Sequence, residues 1–479
     1  MSRPTRAEAR PGGRYARPRL ALVACAVLAA SGLTALPAGA AGPGTPYDLD
    51  ASGSSDLVAG TPDAASAAGS VTVLPGSAVG PTAAGRRTLT QDTGSVPGAV
   101  EPGDRFGAAT ASGDLDGDGR LDLVVGSPGE NDTSGNADRG SVTVLTGASG
   151  LTAGTSFTTG RHWGPSASAR LGTDVEVGDV DGDGLDDAIG LGPGTAGSGS
   201  WLVWRDSATG AVHTRGVSFD PAVAMDGAVG DFDGDGYDDL AVTVVDTYGI
   251  GKVFEFTGGP DGLTGGFGAQ VPPGRSLDAG DIDKDGYDDL VVGQPLAADA
   301  QGRAGGQVTI KRGHVWGLNH PGDTVTVHQD TDGIPGTAEA GDAMGTSVAL
   351  RDIDGHGVLD VLAGVPGEDI TVDGTARAGA GAGLVLRLTA DLTVASAQAL
   401  NQGADGIPGA AESGDRFGAD VAAGDFTGTS STGLAIGAPG ENSGDGTVVH
   451  VDADGTGVFI GPAAVGTPAD GGLGTVLAP

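Results

Sequence analysis

The chain has 479 residues, 62 of them acidic and only 25 basic, so its formal charge is −37. That balance argues against nucleic acid and anionic membrane surfaces as partners. Gly (92) and Pro (27) together make about a quarter of the chain and interrupt nearly every window a helix would need, while short β-branched runs recur throughout, so the composition points to an all-β fold rather than to helices or disorder.

In chain order, an Arg-rich opening (Arg3, Arg6, Arg10, Arg14, Arg17, Arg19) leads into an apolar segment from Leu20 to Leu36 and the small-residue site Ala38-Gly39-Ala40. This pattern predicts a secretory signal peptide over residues 1–40, cut after Ala40. A lipid-modified Cys25 in Leu22-Val23-Ala24-Cys25 is a weaker reading, because the apolar run continues past the cysteine. An uncleaved membrane helix is also weaker, since the segment is short and interrupted by Gly and Pro. Cleavage removes six of the 25 basic residues and one of the 62 acidic ones, leaving 19 against 61 and a charge of −42. It also removes the only cysteine, so the remaining chain, expected to be an extracellular monomer with no membrane insertion, must be stabilised without disulfides.

From residue 48 onward an acidic loop repeats, with first positions at Asp48, Asp114, Asp179, Asp231, Asp281, Asp352 and Asp425, at intervals of 66, 65, 52, 50, 71 and 73 residues. Four copies keep the full pattern D-x-D-x-D-G-x-x-D. Carboxylates this close repel one another at the kcal/mol scale unless a cation lies between them. Positions one, three, five and nine supply carboxylates, position seven supplies a backbone carbonyl, and Gly at position six permits the positive φ of a tight turn. The predicted ligands are Asp114, Asp116, Asp118, Arg120 (carbonyl) and Asp122; Asp179, Asp181, Asp183, Leu185 (carbonyl) and Asp187; Asp231, Asp233, Asp235, Tyr237 (carbonyl) and Asp239; and Asp281, Asp283, Asp285, Tyr287 (carbonyl) and Asp289.

A single Asp-Gly pair would be read as a hairpin turn. Four copies with a further Asp at position nine point instead to calcium, since an all-oxygen loop suits neither magnesium nor zinc. Two degraded loops keep three carboxylates each, Asp48, Asp50 and Asp56, then Asp352, Asp354 and Asp360, and are expected to bind weakly at most. The seventh loop (Asp425, Thr427, Thr429) has Gly433 at position nine and is expected to be empty.

Between the loops, each unit has room for four short strands. In the second unit these fall after Phe106-Gly107, at Leu121 to Val125, at Ser141 to Leu145 and near Ser156 to Thr159. Seven candidates for the third strand, from Ser70 to Leu74 through to Thr447 to Val451, predict a seven-bladed β-propeller of four-stranded antiparallel blades over residues 41–479. The first unit lacks a leading strand. Leu473-Gly474-Thr475-Val476-Leu477 resembles the missing piece and is expected to complete blade one, joining the two ends of the ring.

Phe106-Gly107 with Gly126-Ser127-Pro128, and Phe417-Gly418 with Gly437-Ala438-Pro439, resemble FG-GAP repeats, the unit of the integrin alpha-subunit N-terminal propeller. The resemblance is weaker in unit three (Leu171-Gly172, Gly192-Pro193) and unit five (Gly293-Gln294-Pro295). Unit four keeps neither dipeptide, and unit one keeps only Gly60-Thr61-Pro62. The resemblance implies a secreted binding or adhesion module of the type found in bacteria, with metal on one face and partners on the other.

Up-and-down strands would gather on that second face the related segments Gln91 to Asp104, Gln329 to Asp342 and Gln402 to Asp415, with Glu130-Asn131, Glu368-Asp369 and Glu441-Asn442. Trp163 and His162 are candidate anchors there, against the plainer reading of solvated turns. The expected partner is an extracellular protein or glycan.

No nucleophile elbow, phosphate loop or H-E-x-x-H zinc motif occurs. The seven His, at 162, 213, 314, 320, 328, 356 and 450, look scattered, unpaired and superficial. A non-catalytic role is therefore expected, the alternative being a polysaccharide hydrolase or lyase with its site in the central channel.

Overall fold

In the computed structural model the described residues are 46–132, 134–159, 168–195, 199–218, 220–452, 455–468 and 471–479. The expected signal peptide, Cys25, His162 and Trp163 lie outside them.

Seven four-stranded antiparallel sheets form the blades of a β-propeller. Their second strands, Leu57–Gly60, Asp122–Ser127, Asp187–Gly192, Asp239–Asp246, Asp289–Gln294, Asp360–Val365 and Gly433–Ala438, are buried almost throughout. A strand covered on both faces by neighbouring blades has no solvent side, which is why Leu-Val-Val-Gly and its variants run apolar without alternation. Outer strands such as Gly154–Phe157 and Val394–Leu400 alternate or stay polar because one face meets water. The core accordingly divides into clusters at the blade junctions, for example Val71, Leu89, Phe106, Leu123 and Leu145 between blades one and two.

The innermost strands line the axis in the order Thr110–Gly113, Asp174–Gly178, Ala222–Gly230, Ser276–Gly280, Val348–Arg351 and Val421–Gly424, and each packs on the next. The ring closes as expected. Val476–Ala478 pairs antiparallel with Leu57–Gly60 as the innermost strand of blade one, and packs against both Val421–Gly424 and Thr110–Gly113.

The Phe-Gly and Gly-x-Pro motifs have a steric explanation at the junctions. A Cβ on Gly126 of blade two would collide with the Gly172 carbonyl oxygen of blade three, and one on Gly364 would meet that of Gly418. Blade four, which lacks the motifs, joins blade five by another contact: Thr243 Oγ1 donates to the Gly274 carbonyl at 3.0 Å and accepts its N–H at 3.1 Å.

Blade six adds a small hairpin, Ile370–Val372 with Thr375–Arg377. Among the described residues no helix is long and apolar enough to cross a membrane.

Deleting residues 473–479 removes the innermost strand of blade one together with buried Leu473 and Leu477. Loss of the cooperative thermal transition is expected, measured by circular dichroism; a variant melting like the full chain would break the closure model.

Candidate metal centre

In blades two to seven the acidic loop joins the innermost strand to the second strand, and the first loop leads directly into the second strand of blade one, so all of them open on one face of the propeller. Carboxylate oxygens lying within 4.8 Å of one another come from Asp114, Asp116 and Asp118; from Asp179, Asp181 and Asp183; from Asp231, Asp233 and Asp239; from Asp281, Asp283 and Asp285; and from Asp352, Asp354 and Asp360. These sets could hold a metal ion. The fifth comes from a loop degraded at position five, yet it converges like the intact ones. Among the described residues the first loop (Asp48, Asp50, Asp56) forms no such cluster.

The loops are shaped by their own backbone. In blade three Asp179 accepts the N–H of Gly182 at 2.8 Å and of Gly184 at 2.9 Å, Asp181 accepts that of Asp183 at 3.1 Å, and Asp183 accepts that of Leu185 at 2.9 Å. The other intact loops share most of this pattern. Glycine at position six has φ of 80, 90, 89 and 92° in blades two to five, as expected. Gly182 at position four (φ 72°) has a second constraint, because a Cβ there would lie 2.5 Å from the Tyr237 ring of the next blade. Tyr237, predicted to act through its carbonyl, thus also packs its side chain over the preceding loop, and Leu185 and Tyr287 do the same over Gly117 and Gly234.

Position nine carries the test of fit. Asp122 and Asp187 are 1% and 2% exposed. Their Oδ1 atoms accept the N–H of Gly147 and of Ser207, each at 2.8 Å, while both Oδ2 atoms are buried with no donor. A buried carboxylate oxygen without a partner is costly, and a cation held by the neighbouring triad would satisfy it. The same amide clamp runs from Gly258 to Asp239, Gly313 to Asp289 and Leu388 to Asp360. Without metal, burial pushes Asp122 up to about 6, Asp187 and Asp289 to about 7 and Asp239 to about 8. A divalent ion would reverse that direction by stabilising the charged form.

In blade seven Gly433 vacates position nine, and the fully buried imidazole of His450 fills the space, bonded to the Leu434 carbonyl at 3.2 Å and to Asp452 at 2.8 Å. This corrects the expectation that every His lies at the surface. A second correction concerns pairing. His314 and His320 stack with centroids 4.0 Å apart, beside Trp316 and Tyr287, because the short turn Gly317–Asn319 folds their connection back on itself.

One set of carboxylates escaped the sequence reading. Asp186, Asp238 and Asp288, at position eight, accept the N–H of Asp114, Asp179 and Asp231 from the preceding loop, each at 2.9 Å. They staple loop to loop around the ring. The visible signal was the Asp-Asp doublet in the third, fourth and fifth loops.

The central channel is acidic, a cavity of about 310 Å³ lined by Tyr47, Asp174, Glu176, Asp226, Arg275, Ser347 and Asp420 among others. Asp174, Asp226, Asp278 and Asp420 each accept, at 2.7 Å, a backbone N–H from the next blade: Gly227, Leu277, Leu350 and Leu477. Glu176 has no such bond. Burial raises all five, Asp174 to about 7 and Asp278 and Asp420 to about 6.

On the opposite face the three related segments are braced, not loose. Gln91, Gln329 and Gln402 donate to Glu130, Glu368 and Glu441, and Asp104, Asp342 and Asp415 accept amides within their own turns. A groove of about 520 Å³ opens there, lined by Gly98, Glu130, Asn131, Asp132, buried Arg139 and Phe157 among others.

A protein-family model described as FG-GAP repeat matches residues 106–145 and 273–310. No curated protein matches the chain. The chain therefore carries FG-GAP repeats, and its seven blades fit an integrin alpha-like propeller.

The channel carboxylates make stability depend on pH. Their folded values lie above the ordinary value near 4, so their contribution is full below that value and is lost as pH rises through about 6 to 7. Tyr47 and Arg275 face the same space, Arg351 lies near Asp278, and Arg275 is bound to Asp299. At saturating divalent metal the melting temperature should fall between pH 5 and 8, and less steeply in Glu176→Gln. A flat profile in the unmodified chain would contradict this.

Proposed function

We propose that the chain is a secreted, calcium-stabilised propeller that acts as a non-catalytic binding or scaffold module for an extracellular protein or glycan. The observation supporting the metal is the pair of buried, donorless Oδ2 atoms on Asp122 and Asp187 beside converging triads. Calcium suits loops built only from oxygen donors, with the four intact copies as the strong sites and Asp352, Asp354 and Asp360 as a weaker one. The ion would supply structural charge compensation. The FG-GAP match and the fold support the binding role, and the groove beside Glu130 and Asn131 is the favoured partner site because it is concave and rigidly braced.

Extracellular calcium modules bind at about 10⁻⁴ to 10⁻³ M, and each site at tenfold excess adds about 1.4 kcal/mol. Four sites then contribute about 5 to 6 kcal/mol, comparable with the whole stability of a typical domain. Excess chelator should lower the melting temperature by many degrees, and returning calcium should restore it; an unchanged melt would sink the metal reading.

A polysaccharide hydrolase or lyase is the second reading, favoured by one observation: Glu176 is an unbonded carboxylate in the acidic channel. That reading expects sugar release from extracellular polysaccharides that disappears in Glu176→Gln. The binding reading expects none from either form.

A further inference from the structure

The calcium sites differ in a feature outside the acidic loops. In blades two to six the amide that clamps the position-nine carboxylate belongs to Gly147, Ser207, Gly258, Gly313 or Leu388. The residue immediately before that amide is therefore carried to the edge of the loop in blades two to six. It is Thr146 in blade two, Asp206 in blade three, Thr257 in blade four, Arg312 in blade five and Arg387 in blade six.

In blade five the consequence is direct. Arg312 Nη1 contacts Asp283 Oδ2 and lies 3.7 Å from Asp285 Oδ2, so one guanidinium engages two of the three clustered carboxylates. Its Nη2 donates to the Ala390 carbonyl of blade six at 3.2 Å, which anchors it across the loop. In blade six Arg387 Nε lies 3.9 Å from Asp354 Oδ2, and His356 Nδ1 sits 2.6 Å from Asp354 Oδ1. Among the described residues the triads of blades two, three and four have no ion pair to a basic side chain. Blade three instead has an additional carboxylate nearby, that of Asp206.

We propose that this register position grades the metal sites, with Arg312 and Arg387 acting as resident cations that make blades five and six weak sites and leave blades two, three and four tight. The proposal rests on the calcium reading and makes it more specific. Blade five, ranked among the strong sites by its intact loop, moves to the weak class. A positive charge a few ångströms from a ligand oxygen opposes an incoming cation even in strongly screening surroundings. Calcium must displace the guanidinium or share Asp283 and Asp285 with it.

The test is a calcium titration of the full secreted chain after chelation, by calorimetry, with ion counting by native mass spectrometry. Two classes are expected, three tight sites and two weaker by about tenfold or more. Arg312→Thr should move one site into the tight class, and Arg387→Thr a second, with folding checked by the melt at saturating calcium. The converse variant Thr146→Arg should move the blade-two site into the weak class. A single class of sites, or variants that leave the class sizes unchanged, overturns the gradation alone. Absence of any calcium binding overturns the gradation and the calcium reading together.

Discussion

The constraint on which the rest of the molecule depends is the placement of a buried carboxylate at the start of the second strand in blades two to six. Asp122, Asp187, Asp239, Asp289 and Asp360 each receive one amide from the turn after the third strand. Each thereby ties three strands of its blade at the same end. The cost of desolvating that carboxylate is what makes a cation in the adjoining loop favourable. Where the carboxylate is absent, in blade seven, a buried imidazole fills its place and the loop has no triad.

Around the ring, neighbouring blades are joined by acidic side chains that accept backbone amides, at position eight on the face of the acidic loops and along the channel near the axis. These bonds are directional where apolar packing is not, and so they set the angular register of one blade on the next. A chain without disulfides in its described residues can in this way hold a ring with little aromatic content. Much of its acidity is structural.

The seven blades, the closure by the C-terminal strand and the acidic loops were all legible because each is a local pattern repeated many times. The braces on the opposite face were half legible. The recurrence of Gln91, Gln329 and Gln402 was plain, but their partners Glu130, Glu368 and Glu441 lie 39 residues further on, so the pattern alone suggested solvated turns. The stacking of His314 on His320 was hidden for a related reason: spacing says little about a connection until its turn is known.

By itself the sequence determined the fold class, the blade count and the carboxylates that ring each loop, because strand period and loop spacing are properties of consecutive residues. Only the tertiary structure decided what stands beside those loops. Arg312 against Asp283, Asp238 on the amide of Asp179, and His450 in the space of Gly433 are contacts made between strands or blades. Their energies depend on burial and distance, which chain order does not encode.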